Sequence, residues 1–201
     1  TWAGGTNNAG TLDDDSRFSK GAHIAYWDNR LWIGNVNGAK YQLWRSNTGD
    51  ITVWGATSFY NFDHDITGIS PIGNALAIHT DQGVHVLTPT GNATVPYQVQ
   101  RRAPAGSVSG RGIVNLPSGL QLFPRPDGFY AWDGGSQVQK ISQALDGSRF
   151  WDSINTAKLH LSHGLYYPST NEVWWFIPYG TSQATNNYVI VYNTILNCWF
   201  G

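Results

Sequence analysis

The sequence predicts an all-β protein, a β-propeller of about four blades of four antiparallel strands, or an arc of a larger propeller. Three observations carry this reading. Glycine (23 residues), tryptophan (10) and tyrosine (10) are abundant while only 12% of the 201 residues are charged. Aromatic side chains favour half-buried pleated surfaces and glycine supplies tight turns, so this is the balance of a turn-rich β protein. Short apolar runs come in pairs joined by a turn signal, and the pair occurs four times. The pairs open roughly 45 to 55 residues apart, which is the spacing of propeller blades and not of a helical repeat.

In the first unit, Asp28-Asn29-Arg30 opens Leu31-Trp32-Ile33-Gly34, and the chain returns through Tyr41-Gln42-Leu43-Trp44. In the second, Gly73-Asn74 opens Ala75 to Ile78, and Thr80-Asp81-Gln82-Gly83 turns into Val84 to Leu87. The third runs from Leu120 to Phe123, turns at Arg125-Pro126-Asp127-Gly128 and returns from Phe129 to Trp132. The fourth pairs Glu172 to Phe176 with Tyr188 to Tyr192 across a loop rich in Gly, Thr, Ser and Asn. Each hairpin is preceded by another apolar run, at His23 to Trp27, Ile66 to Ile72, Arg111 to Leu116 and His160 to Tyr167. Candidate fourth strands follow at Ile51 to Trp54, Val95 to Arg101, Val138 to Ile141 and Cys198 to Phe200, completing four strands per unit. The strands at Leu31, Leu76, Leu122 and Trp174 should then hold equivalent places. One helical segment is expected at Ser142 to Asn155, where Leu145, Phe150, Trp151 and Ile154 could share an apolar face. A β-sandwich or barrel of similar strand count is the competing architecture, and the long regular period argues against it. Residues 1–201 read as a single propeller domain or as a propeller fragment of a longer chain, and the lack of any methionine favours an excised part.

Charge and cysteine content exclude several function classes. With 12 Lys+Arg against 13 Asp+Glu the net charge is −1, which offers no basic field for gripping phosphates. Cys198 is alone and cannot form an internal disulfide. No run approaches the length of a membrane-spanning helix, so no membrane span is expected.

The chemistry-bearing clusters are thin. Asp13-Asp14-Asp15 lacks the alternating spacing of a cation loop. His160 and His163, three apart on an expected strand, would point to opposite faces. His79 and His85 flank a turn and could face each other, but no third metal ligand is near in sequence. Asp63-His64-Asp65 has no nucleophile elbow to serve and reads as a turn. Asn92-Ala93-Thr94 has the letters of a glycosylation acceptor, a triplet frequent by chance. The stretch Ser46 to Trp54 has the letters of a sialidase Asp box in the wrong order, and Glu172 is the sole glutamate, so a glycosidase carboxylate pair is poorly supplied. We expect no catalytic residues, no metal and no cofactor. Arg101, Arg102 and Arg111 flank the extended crossing Ala103 to Gly110 and are the candidate interface residues. A guanidinium is most useful when paired bidentately with a carboxylate or a phosphate, and the alternative is a structural ion pair within the chain.

A series of elements in order carries a resemblance: Trp44-Arg45-Ser46 with Gly49-Asp50, Ile66-Thr67-Gly68-Ile69, Ala75 to Thr80, Gly106-Ser107-Val108, Gly128 to Gly134, Tyr167-Pro168 through Glu172-Val173-Trp174-Trp175, and Val191-Tyr192-Asn193. Together, over most of Tyr26 to Trp199, they resemble the propeller portion of bacteriophage tail and neck proteins. These are the tail nozzle (tail tubular protein B) and packaged-DNA stabilisation proteins of short-tailed phages. The resemblance implies a structural protein of the virion, assembled as a homo-oligomeric, six-fold ring. Such a ring would contact the portal, the adaptor and other tail proteins, and DNA would pass through it. It implies no catalytic residues. The alternative is a carbohydrate-binding propeller stacking sugars or host glycans on exposed tryptophans, though the tryptophans recur at no common blade position.

Overall fold

The structure is a computed structural model that describes residues 21–147 and 149–201. Among these, sixteen strands form four antiparallel sheets, each taken from consecutive strands in chain order. Blade 1 holds β1 (His23–Trp27), β2 (Arg30–Val36), β3 (Ala39–Asn47) and β4 (Asp50–Asn61). Blade 2 holds β5 (Ile66–Ile72), β6 (Ala75–Thr80), β7 (Gly83–Pro89) and β8 (Tyr97–Ala103). Blade 3 holds β9 (Val114–Asn115), β10 (Gln121–Arg125), β11 (Gly128–Trp132) and β12 (Gln139–Lys140). Blade 4 holds β13 (His163–Tyr167), β14 (Glu172–Ile177), β15 (Tyr188–Asn193) and β16 (Cys198–Phe200). β1 lies beside β5 and β9 beside β13, so the first strands are innermost and the last strands form the outer rim.

Period-two alternation gives every blade one face toward the blade before it and one toward the blade after. Ala25, Trp32 and Leu43 of blade 1 pack against Ile69, Ile78 and Leu87 of blade 2. At this seam an added Cβ on Gly34 would stand 3.1 Å from Ile66 Cγ2, so glycine lets the sheets approach. Ala77, Val84 and Val86 of blade 2 meet Phe123 and Trp132 of blade 3. Leu122, Phe129 and Ala131 of blade 3 meet Val173, Trp175 and Ile190 of blade 4. A fourth cluster, with Ile33, Val36, Trp44 and Trp54, lies within blade 1. Among the described residues no apolar cluster joins blade 4 to blade 1. The four blades thus form an arc held by three largely apolar seams.

Both central strands of every blade fall where the sequence places them, and β1, β5 and β16 match to the residue. Leu31, Leu76, Leu122 and Trp174 all lie on second strands, but not on one face. Leu31 pairs with Tyr26 and Leu76 with Pro71 on the side toward the preceding blade, whereas Leu122 and Trp174 look toward the following side. Trp32 and Ala77, one residue on, are their partners in orientation, because a shift of one residue reverses the face.

The boundaries differ in six places. The run Arg111 to Leu116 is a 3-10 turn, Gly110–Gly112, followed by β9, because Ser109 caps the turn by accepting from Gly112 N. His160 to Tyr167 divides likewise into a 3-10 turn, Thr156–Leu161, and β13. The fourth strands of blades 2 and 3 are Tyr97–Ala103 and Gln139–Lys140. β4 extends through Asn61, with register shifts against β3 between Trp44 and Asn47. The expected helix at Ser142 to Asn155 contains two short 3-10 turns, Gln143–Leu145 and Trp151–Ser153. Asp146 and Ile154 at their ends have extended backbone, so Leu145, Phe150 and Trp151 reach the blade 3–4 seam from separate turns.

Candidate functional site

Blade 4 presents the candidate site, a sheet face with no blade against it among the described residues. The inward side chains of β14, Val173, Trp175 and Ile177, are buried in the seam with blade 3. The alternate side chains must therefore look outward, and the register brings them together. Leu165 pairs with Trp174 and Trp174 with Val191, while Val191 pairs with Phe200. Phe176, next along β14, stacks under the His163 ring at 4.6 Å between centroids. Leu165 is 42% exposed, Tyr167 50% and Phe200 49%. The Trp174 indole N–H donates to Glu172 Oε2 at 3.0 Å, which occupies the one carboxylate on this face. Such a surface has no acid–base pair and no nucleophile poised for chemistry. Its physical tendency is to exclude water against another apolar surface.

The predicted interface arginines are not brought together. Arg101 and Arg102 lie near the end of β8 on the outer rim, whereas Arg111 sits in the 3-10 turn by the innermost strands. The crossing runs inward between those two places and holds them apart. The Arg101 guanidinium donates to the Gln82 carbonyl at 2.7 Å and lies over Gly83, and Arg102 is exposed. Among the described residues none of the three pairs with a carboxylate. Arg111 instead borders a recess of about 300 Å³ at the heads of the innermost strands.

The crossing itself is pinned by buried polar contacts. The Gly106 carbonyl accepts from Arg125 Nη1 at 2.9 Å. Ser107 N–H donates to His79 Nδ1 at 3.1 Å, and the Thr67 hydroxyl donates to the Ser107 carbonyl at 2.5 Å. Ser109 Oγ donates to the Ser162 carbonyl at 2.6 Å, reaching the lead into blade 4. His79 is fully enclosed, and burial pushes its pKa down to about 4 against the hydrogen bond it gives to Gln121, so it stays neutral. The sequence reading missed Arg125 and His79 as anchors of this crossing. Arg125 was visible only as the first residue of a turn, and its partner is a carbonyl 19 residues away in sequence.

Other sequence candidates are dispersed. His85 pairs with Ile78 and meets Phe62 edge-on on the blade 1 side, while His79 points toward blade 3, so the two imidazoles do not face each other. His160 lies in a 3-10 turn and His163 begins β13. Asp63-His64-Asp65 is an exposed turn with His64 Nδ1 3.8 Å from Asp81 Oδ1. Asn92 Oδ1 accepts from Thr94 N at 2.8 Å, closing a local turn. Asp13-Asp14-Asp15 lies outside the described residues. Of the nine described tryptophans, Trp32, Trp44, Trp54, Trp132 and Trp175 are fully buried and the others partly so, Trp174 alone of these standing on the outward face of blade 4. Among the described residues no three His, Cys, Asp or Glu side chains gather to hold a metal, and no helix is long and apolar enough to cross a membrane.

With four such sheets around an axis, comparison with known proteins adds one decisive observation. A solved chain described as YCF48 bound to D1 peptide superimposes with a TM-score of 0.52 at 13% identity, over 90% of this chain and 52% of that one. The fold is that of a β-propeller. At this identity the likeness concerns the fold alone, and this propeller chain spans about half the length of the solved one. No family model matches the sequence, and no curated protein matches it.

Proposed function

We propose that this propeller is a non-catalytic structural module that works by side-by-side assembly, as the wall of a bacteriophage tail or neck ring. The observation that carries the proposal is the open apolar face of blade 4. A face built of Leu165, Tyr167, Trp174, Phe176, Val191 and Phe200 uses the positions through which blades 1 to 3 seat on their successors. Left in water, such a patch favours association, and in a ring its cover is a neighbouring copy. The sequence resemblance to tail nozzle and packaged-DNA stabilisation proteins supplies the setting. A net charge of −1 suits a conduit, because a wall along which DNA slides should not hold phosphates through many cationic contacts.

The test compares the chain with a Leu165→Glu, Phe200→Glu double variant by light scattering after size-exclusion chromatography. Concentration-dependent oligomers in the parent, and a monomer with unchanged thermal melting in the variant, are the expected results. A parent that stays monomeric at every concentration would overturn the assembly reading. Absence of the chain from purified phage particles by mass spectrometry, or glycan-array selectivity lost on the loss of one tryptophan, would overturn the tail assignment.

A further inference from the structure

We infer that the recess at the axis is a binding site for a single oxyanion group, with Arg111 as its anchor. Nothing in the assembly reading requires this site, and it stands on a different set of observations. The recess lies where all four blades begin or end their innermost segments. His23 heads β1, Asn35 lies near the end of β2, Thr67 near the start of β5, Gly110 and Arg111 form the turn before β9, and His160 lies in the turn before β13. Among the described residues no aspartate or glutamate lines it. A concave site walled by neutral groups and carrying one sign of charge focuses its field on the opening, which raises the local concentration of ions of opposite sign.

Among the described residues the individual contacts leave Arg111 available to a ligand while occupying its neighbours. Asn35 Nδ2 donates to the Ile66 carbonyl at 2.7 Å and Thr67 Oγ1 to the Ser107 carbonyl at 2.5 Å, which fixes those side chains in the wall. His160 Nδ1 lies 3.1 Å from the Ala157 carbonyl, which holds its ring. His23 is packed so closely on the turn that a Cβ on Gly110 would stand 2.5 Å from its Nδ1. Burial and the Arg111 charge both lower the His23 pKa, so the imidazole supplies a neutral wall beside the guanidinium. Among the described residues Arg111 has no carboxylate partner, and its side chain is exposed at the mouth. The guanidinium's planar fork matches the two oxygens of a carboxylate or phosphate bidentately. A volume of about 300 Å³ is at the lower end for ligand sites and admits one such group with little attached to it.

Two sources share this chemistry, inorganic phosphate and the carboxylate of an adjoining polypeptide. The experiment titrates the 201-residue chain with sodium phosphate and, separately, with sodium acetate at constant ionic strength, following backbone amide shifts by NMR. The Gly110, Arg111 and Thr67 amides should move saturably in the millimolar range with at least one probe. Arg111→Ala should weaken that binding about tenfold or more, the scale of a charge-assisted contact. Arg101→Ala and Arg102→Ala, at the outer rim, should leave it unchanged. Saturation by acetate alone assigns the site to a protein carboxylate, and saturation by phosphate alone assigns it to phosphate. Shifts that are linear and scattered over the surface with both probes, or that survive Arg111→Ala, would overturn the site. Thermal melting of each variant separates loss of binding from loss of fold.

Discussion

His79 and Gln121 meet across the seam between blades 2 and 3, with Nε2 and Oε1 3.0 Å apart in a fully buried contact. Because Ser107 N–H donates to Nδ1, the ring's proton sits on Nε2 and is given to the Gln121 carbonyl oxygen. Gln121 in turn donates its amide to Asn115 Oδ1 at 2.9 Å, so its orientation is fixed from the far side. The imidazole is held in one tautomer by groups from three segments.

That arrangement gives the fold a pH dependence. The folded pKa of His79, about 4, lies below the ordinary value of 6.5, so the unfolded chain binds the proton more tightly. The stability from the neutral ring is therefore present in full above pH 6.5 and is lost as pH falls toward 4. His79 alone should remove about 2 kcal/mol between pH 7 and pH 5. Urea unfolding at the two pH values measures this, and His79→Gln should flatten the difference.

Removing the other partner has a different signature. Gln121→Leu would leave the His79 Nε2–H buried without an acceptor and should cost about 1–3 kcal/mol at neutral pH. A drop in the urea midpoint with an unchanged slope is the expected result.

Gly106→Ala tests the crossing. A Cβ there would collide with the carbonyls of Thr80 and Gly83, both backbone atoms that cannot rotate away. The overpacking should cost about 1–3 kcal/mol. The amide of Ser107, hydrogen-bonded to His79, should lose hydrogen-exchange protection first.

Trp175 occupies the blade 3–4 seam, fully buried against Phe129 at 4.4 Å between centroids, and its indole N–H donates to the Gly112 carbonyl at 2.9 Å. Trp175→Ala should cost about 3–5 kcal/mol. Trp175→Phe, which keeps most of the volume but loses the hydrogen bond, should cost less, and chemical denaturation ranks the two.

The Tyr97 hydroxyl donates to Asp28 Oδ2 at 2.5 Å and accepts from Arg30 Nε at 2.9 Å, joining blade 2's outer strand to blade 1's first turn. Burial, reinforced by that carboxylate, pushes its phenol up to about 12, and Tyr130 reaches a similar value beside Asp127. An ultraviolet titration should resolve tyrosines that ionise late, and Tyr97→Phe should remove one of them.

The propeller was legible because it rests on local signals. Alternating apolar residues and turn letters such as Asp28-Asn29, both with positive φ, are written within a few residues of each other. The segments that were misread lie between blades, where tertiary contacts decide the conformation. Ser109 turns the head of blade 3 by capping Gly112, and its hydroxyl is held by a carbonyl from blade 4's lead, 53 residues on. Site legibility failed for the same reason. Arg101 and Arg111 stand close in sequence, yet the inward crossing separates rim from axis. The open face of blade 4 was invisible because its outward residues, Trp174 and Phe176, read like any core strand until the inward set is seen to be Val173, Trp175 and Ile177.

Each sheet closes on its own consecutive stretch of chain, and this makes the molecule modular in a genetic sense. Duplicating one stretch of roughly 45 residues would add a complete sheet and one seam, leaving the hydrogen-bond ladders of the others untouched. Stability then behaves as a chain of nearest-neighbour couplings, in which interior units are held from two sides and terminal ones from one. Growth and loss of blades are therefore least disruptive at the ends of the arc.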